Sequence, residues 1–364
     1  MQCSHKSVRK QLFILITFMI GMFSLSANEL PLQKESISRI EYPPEIQYIS
    51  ALIQSKDTST LVYESWKGFE MNEGDLHYSE LNVLNEKIYF DTAKVVLPNK
   101  KTLIRSSISH VIIDGVDWLY FIESNGFNSE AIAYRAKFKD SALVEQEKIS
   151  LEVPLSSSSN ARWSVMKNNN VALVYTDKKC CKLYFSISKD GVKFETPRYI
   201  GNTGFMPHLS SFSDGKLLYL FQKSFRSSKE KPNGKPIYIT KSHFRVSNNY
   251  GQTWSEYTPI TLTDDTVHDA KAILRLDGNI DIYYVYPIQE GKGLSLWRKC
   301  ININGGLGNE ELVVQHDFGN IAKPSIHRIE NGKMLVTFVE QGKVVLEGEH
   351  NIYGAIISAD SECI

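Results

Sequence analysis

Asp75 and Asp269 are two carboxylates of the kind that sugar hydrolysis needs. Cleaving a glycosidic bond takes one carboxylic acid to protonate the leaving oxygen and one carboxylate to act opposite it. Tyr48 and His268 add side chains that can exchange protons with a sugar. These four are the candidate catalytic residues. His110, Arg162, His208, Lys271, Lys323 and Trp66 are the candidate substrate-binding residues. Three histidines, His110, His208 and His268, are also enough to hold a divalent cation. One sequence does not show that they point inward, so no metal and no other cofactor is expected.

Most of these residues stand at the head of a repeated unit, and that repeat must position them. The unit is an apolar strand, a tight turn ending in Gly or Asn, and a second strand rich in Leu, Val, Tyr and Phe. Copies begin near Tyr48, Ser109, Ala161, Met206, Asp269 and Lys323, so successive starts are 45 to 63 residues apart. A second hairpin follows the first, as in Lys182 to Ile200, which gives four short strands per unit. Four strands at this period make a propeller blade. No stretch carries a helical apolar stripe over three turns. The expected fold is all-β, a six-bladed propeller.

The sixth unit lacks its fourth strand. An unpaired outer edge is a liability that proteins avoid. Glu35 to Tyr42 belongs to no other unit, so it is expected to complete the last blade beside residues 350–358 and thereby close the ring.

Composition agrees with this architecture and excludes others. The chain has 364 residues, 42% hydrophobic and 23% charged, which excludes disorder. Lys plus Arg equals Asp plus Glu, 41 against 41, so no global field would draw in nucleic acid. Residues 1–27 read as a cleaved signal peptide: Lys6, Arg9 and Lys10 precede an apolar run from Leu12 to Leu25, with cleavage near Ser26 or Ala27. That run is too short to span a bilayer, and the mature chain has no other. Residues 28–364 are then one propeller domain, secreted or periplasmic, acting as a monomer.

Export permits disulfides. Cys180, Cys181, Cys300 and Cys363 follow the signal segment and allow three connectivities. A bond between the adjacent Cys180 and Cys181 would be strained. Cys300 ends the third strand of unit five, and Cys363 lies just past the third strand of unit six. Neighbouring blades place these ends on one face, so this is the expected nearest pair.

Two outer hairpins carry a recognisable turn. Ser247-x-Asn249-x-Gly251-x-Thr253-Trp254 fits the Asp-box pattern, and Ser188-x-Asp190-Gly191-x-x-Phe194 is a shortened relative. In such a turn the Asx side chain bonds backbone amides, the glycine takes positive φ, and the aromatic plugs the blade. With the six units, this resembles the sialidase-like (BNR repeat) six-bladed propellers. The resemblance implies a site at the axial mouth, where the first strand of each blade begins. Loops 65–76, 124–130, 225–235, 287–293 and 340–347 would surround it, and the Asp-boxes would lie on the opposite face.

The sialidase catalytic set does not carry over. Tyr48-Ile49-Ser50 stands where the family has Arg-Ile-Pro, and Lys323 stands at the nucleophilic tyrosine. Met206 falls at an expected glutamate and Gln222 at an expected arginine. Only the acid aspartate has a counterpart, Asp75. Without clustered arginines a sialic carboxylate lacks its bidentate partners. The resemblance therefore implies a glycan or glycoconjugate partner, with hydrolysis directed at a glycan other than a sialoside. A non-catalytic glycan- or protein-binding propeller and a polysaccharide lyase are the alternatives.

Overall fold

The computed structural model describes residues 38–39, 46–54, 59–67, 73–84, 87–96, 104–125, 129–139, 142–156, 161–178, 182–202, 205–212, 214–231, 233–263, 266–287, 294–302, 304–315, 320–329, 333–341, 352–358 and 363. The expected signal segment, Cys180 and Cys181 lie outside the described residues. Among the described residues every regular element is a strand, and no helix is long and apolar enough to cross a membrane.

Six antiparallel four-stranded blades follow one another along the chain. Blade one is Ile46–Gln54, Ser59–Lys67, Glu73–Leu84 and Lys87–Phe90, and blade two is Ile104–Ile113, Val116–Ser124, Glu130–Lys139 and Ala142–Lys148. Blade three is Ala161–Val165, Val171–Thr176, Lys182–Ser188 and Arg198–Asn202. Blade four is Phe205–Ser211, Leu217–Glu230, Pro236–Ser247 and Thr258–Pro259. Blade five is His268–Leu274, Ile280–Pro287, Leu294–Ile301 and Leu307–Val314. Blade six is Asn320–Arg328, Met334–Gln341 and Ile352–Ile357, with Ser38–Arg39 pairing to Gly354 and Tyr353 as its outermost strand. A single parallel pair, Gly74 with Ile104, joins blades one and two. Each inner strand neighbours the next, and that of blade six neighbours that of blade one.

Burial follows position within the blade. Second strands are covered on both faces, so they are continuous apolar runs rather than alternating ones. Every residue of Val171–Thr176 is buried, as are the first six of Ile280–Pro287. Outer strands face water, and Ala142–Lys148 has no buried residue. The core accordingly sits between blades, in clusters such as Trp118, Tyr120, Trp163 and Tyr175 between blades two and three.

The outer turns lock these layers. In blade four Ser247 Oγ accepts from Gly251 N at 2.8 Å, Asn249 Oδ1 accepts from Thr253 N at 2.9 Å, and Gly251 has φ 74°. Trp254 stands edge-on to Phe185 of blade three and Tyr219 of blade four, with ring centroids 5.5 and 5.9 Å away. In blade three Asp190 Oδ1 accepts from Ser188 Oγ and from the amides of Val192 and Lys193, each at 2.8 Å. Gly191 has φ 74°, and Phe194 packs on the cluster between blades two and three. A Cβ on Gly191 would meet Tyr120 Oη at 2.3 Å, so only glycine fits there.

Two expectations are corrected. The inner strand of blade two begins at Ile104, not near Ser109. Residues 225–235 are mostly a hairpin rather than a loop: Leu217–Glu230 pairs with Pro236–Ser247 as far as Glu230, which leaves a short turn at Lys231–Lys235. Cys300 and Cys363 form a disulfide with Cα atoms 5.4 Å apart, tying the chain's end to blade five.

Candidate functional site

The inner strands do not run straight down the axis. Five of them break register near their start: between Gln47 and Ser50, Ser106 and Ser109, Phe205 and His208, His268 and Lys271, and Ala322 and Ser325. Each break is a bulge, which re-aims the side chains around it. In blades two, five and six a non-glycine residue inside the bulge has left-handed backbone: Ser107 at φ 62°, Asp269 at 50° and Lys323 at 49°. Such backbone is costly for an L-residue and persists only where its surroundings fix it. The surroundings here are polar bonds to the next blade. Ser107 Oγ accepts from Ala161 N at 3.3 Å, and Asp269 Oδ2 accepts from Lys323 N at 3.0 Å.

The bulges divide the axial residues into two layers. At the mouth, Asp269 Oδ1 accepts from Lys323 Nζ at 3.1 Å and from Gln222 Nε2 at 3.2 Å. Glu64 is fully buried and accepts from Ile108 N at 3.1 Å. Between blades one and two, Arg105 donates Nη1 to Asp75 Oδ1 at 3.0 Å and Nε to Glu123 Oε1 at 2.9 Å. Arg105 and Glu123 escape a reading that starts blade two near Ser109. Ser109 matches Ser50, the residue just past the bulge of blade one, so a start there cuts off the strand's first five residues, Arg105 and its cross-strand partner Glu123 with them.

Deeper along the strands lies a cavity of about 620 Å³ lined by the inner strands of all six blades. Arg162, His208, Lys271 and His110 line this chamber, rather than standing level with Asp269 and Lys323. Arg162 and Lys271 are almost fully buried. Burial, with Arg162 close by, pulls the Lys271 ammonium down to about 7, against the weaker opposing pull of Asp269 and Glu64. Burial lowers Arg162 to about 10, with Glu64 opposing. His208 is held down near 3 by burial and by the Lys271 charge, and is therefore neutral. Its Nε2 lies 3.0 Å from the Ala272 carbonyl oxygen. His327 is held down near 3 by burial and by His110, whose own Nε2 lies 2.7 Å from Asp117 Oδ1.

Tyr48 and His268 belong to the inner strands of blades one and five, and Trp66 to the second strand of blade one. Their side chains lie outside the described residues. Among the described residues no three His, Cys, Asp or Glu side chains are grouped to hold a metal ion.

No family model matches the chain, and no curated protein does either. Solved structures do match it in fold. A Dyadobacter fermentans protein of unknown function superposes with a TM-score of 0.63 at 12% identity, covering 88% of this chain and 98% of that one. An α-L-arabinanase from Penicillium chrysogenum, complexed with arabinobiose, gives 0.59 at 10% identity, with 89% and 98% covered. A Trypanosoma rangeli sialidase mutant displaying trans-sialidase activity gives 0.57 at 10% identity, covering 90% of this chain. The chain spans 58% of that sialidase's length. The chain thus shares a six-bladed propeller fold with these proteins.

Proposed function

We propose that this chain is an exported propeller that hydrolyses a glycan other than a sialoside at the mouth of its ring. The observation that carries the reading is the pair Asp75 and Glu123, two carboxylates held by one buried guanidinium where the inner strand of blade two begins. Arg105 fixes the orientation of Asp75, which suits a carboxylate that faces the positive charge growing on an anomeric carbon. Tyr48 and His268 belong to the inner strands of blades one and five, and on their chemistry they are our candidates for the proton donor. Asp269 serves differently. Its oxygens take three hydrogen bonds from Lys323 and Gln222, so it anchors the lysine rather than giving up a proton.

Three further features support the reading. The arabinanase shares the fold and binds a sugar without a carboxylate. In the motif alignment, Tyr48, Gln222 and Lys323 fall where sialidases carry two arginines and a tyrosine. The Cys300–Cys363 bond fits an oxidising compartment. The test is sugar release by the purified chain from a glycan panel that includes arabino-oligosaccharides and a fluorogenic sialoside. Release from a non-sialic glycan, lost in Asp75→Asn, is the expected result. Release from the sialoside refutes the exclusion of sialic acid. A second reading, a glycan-binding propeller without catalysis, is favoured by the engagement of Asp269 and Asp75 in ion pairs. Glycan-array binding that survives Asp75→Asn, with no release from any substrate, decides for it.

A further inference from the structure

The chamber beneath the mouth contains a charge with nothing to neutralise it at contact distance. Arg162 is 4% exposed, and its Nη1 is spent on the carbonyl oxygen of the adjacent Ala161. Its Nη2 is buried and has no hydrogen-bond partner. Lys271, 5% exposed, lines the same cavity, and the Arg162 charge raises the cost of charging it. A buried guanidinium with a donor that the protein does not match is unfavourable until something in the cavity accepts from it. The carboxylates within electrostatic reach do not repair this. Asp269 is committed to Lys323, Gln222 and a backbone amide. Glu64 favours both charges from a distance, but it forms no ion pair with Arg162 or Lys271, and its Oε1 accepts from Ile108 N.

We propose that the axial chamber binds an oxyanion, with Arg162 Nη2 and the Lys271 ammonium as its donors and His208 beside them. A planar guanidinium beside an ammonium suits the oxygens of a carboxylate, sulfate or phosphate. The volume, about 620 Å³, lies in the range of small-molecule pockets and leaves room for more than a bare ion, such as a sugar acid. The lining becomes exposed toward the hairpin turns, where Ile112 is 55% accessible and Gln54 is exposed. Access is thus available from the face opposite the mouth. The inference concerns binding alone, so it stands or falls without any turnover at Asp75.

Isothermal titration of the purified chain with sodium sulfate, sodium phosphate and sodium glucuronate tests it, with neutral glucose as control. Saturable binding of at least one anion is expected, with none for glucose. Affinity should fall at least about tenfold in Arg162→Met, which forfeits a charge-assisted bond. Lys271→Met is the second variant and should weaken the same anion. Methionine removes a buried charge in each case, so thermal melting should show both variants folded. Glucuronate binding more tightly than sulfate and phosphate identifies a sugar-borne carboxylate; equal binding identifies a free oxyanion. No saturable binding by any of the three overturns the proposal. So does anion binding unchanged in both folded variants, or binding matched by glucose.

Discussion

Asp269 and Lys323 occupy matching points of neighbouring blades, and the carboxylate of the first takes both the backbone N–H and the ammonium of the second. Both residues have left-handed backbone inside a bulge, and both are largely buried. Ser107 and Ala161 repeat the device one-sidedly, at the same separation of 54 residues. Cross-blade bonds of this kind position the mouth.

The first prediction concerns that pair. Asn adopts left-handed backbone readily, so Asp269→Asn removes charge while sparing conformation. It strands a largely buried ammonium and should cost about 3 kcal/mol, and Lys323→Met, which strands the more buried carboxylate, should cost about as much. The double variant should cost less than the sum, with a coupling of about 2 kcal/mol in urea unfolding. Additive losses would show that the two groups do not depend on each other.

The six units were legible because each blade's first hairpin repeats an apolar pattern around a Gly or Asn turn. The Asp269–Lys323 alignment was legible for the same reason, since both residues begin their units. The layering was not. A bulge adds a residue to one strand only, so side-chain direction can no longer be counted by twos from the turn. That is why His208 and Lys271, grouped with Asp269 by sequence position, fall into the chamber instead, level with Arg162 on the unbroken inner strand of blade three. Arg105 and Glu123 were missed through the same slip. They are directly paired across blade two, but on the far side of its bulge.

The outer strand of blade six supplies the second prediction. Ser38 pairs with Gly354, and a Cβ at Gly354 would approach Phe90 of blade one to 2.8 Å. Gly354→Val should therefore cost about 1–3 kcal/mol through overpacking between blades. Deleting residues 28–44 should strip the Tyr353–Gly354 edge and cause concentration-dependent association, read by light scattering. A truncated chain that stays monomeric with unchanged melting would remove any structural role for that strand.

The third prediction concerns the Cys300–Cys363 bond, which spans a sequence separation of 63. By loop entropy, closing such a loop is worth about 4 kcal/mol. Cys363→Ser should lower stability by up to that amount in chemical unfolding. The loss should match that of the reduced native chain. Equal stability of oxidised and reduced protein would mean that the bond constrains nothing the fold has not already fixed.

The last prediction is the pH dependence of stability, which the buried chamber dictates. Lys271 has its affinity for protons lowered to about 7 when folded, whereas an unfolded lysine titrates near 10.4. Between these values the unfolded chain holds a proton that the folded chain has released. Stability therefore rises with pH across that window, and the penalty for charging Lys271 is fully present below pH 7. The groups that set it are Arg162, Asp269, Lys323 and Glu64. His208 and His327 act at the acid end. Each is held near 3 when folded, against about 6.5 unfolded, so the unfolded chain takes up protons first as pH falls. Stability should fall between pH 6.5 and 3 on their account. The wild-type curve should thus climb in two stages, one at acid pH and one above neutrality. Lys271→Met should abolish the second stage and keep the first. Urea unfolding at pH 5, 6, 7, 8, 9 and 10 checks this, and a variant curve parallel to wild type above pH 7 would mean that Lys271 is not buried as a charge.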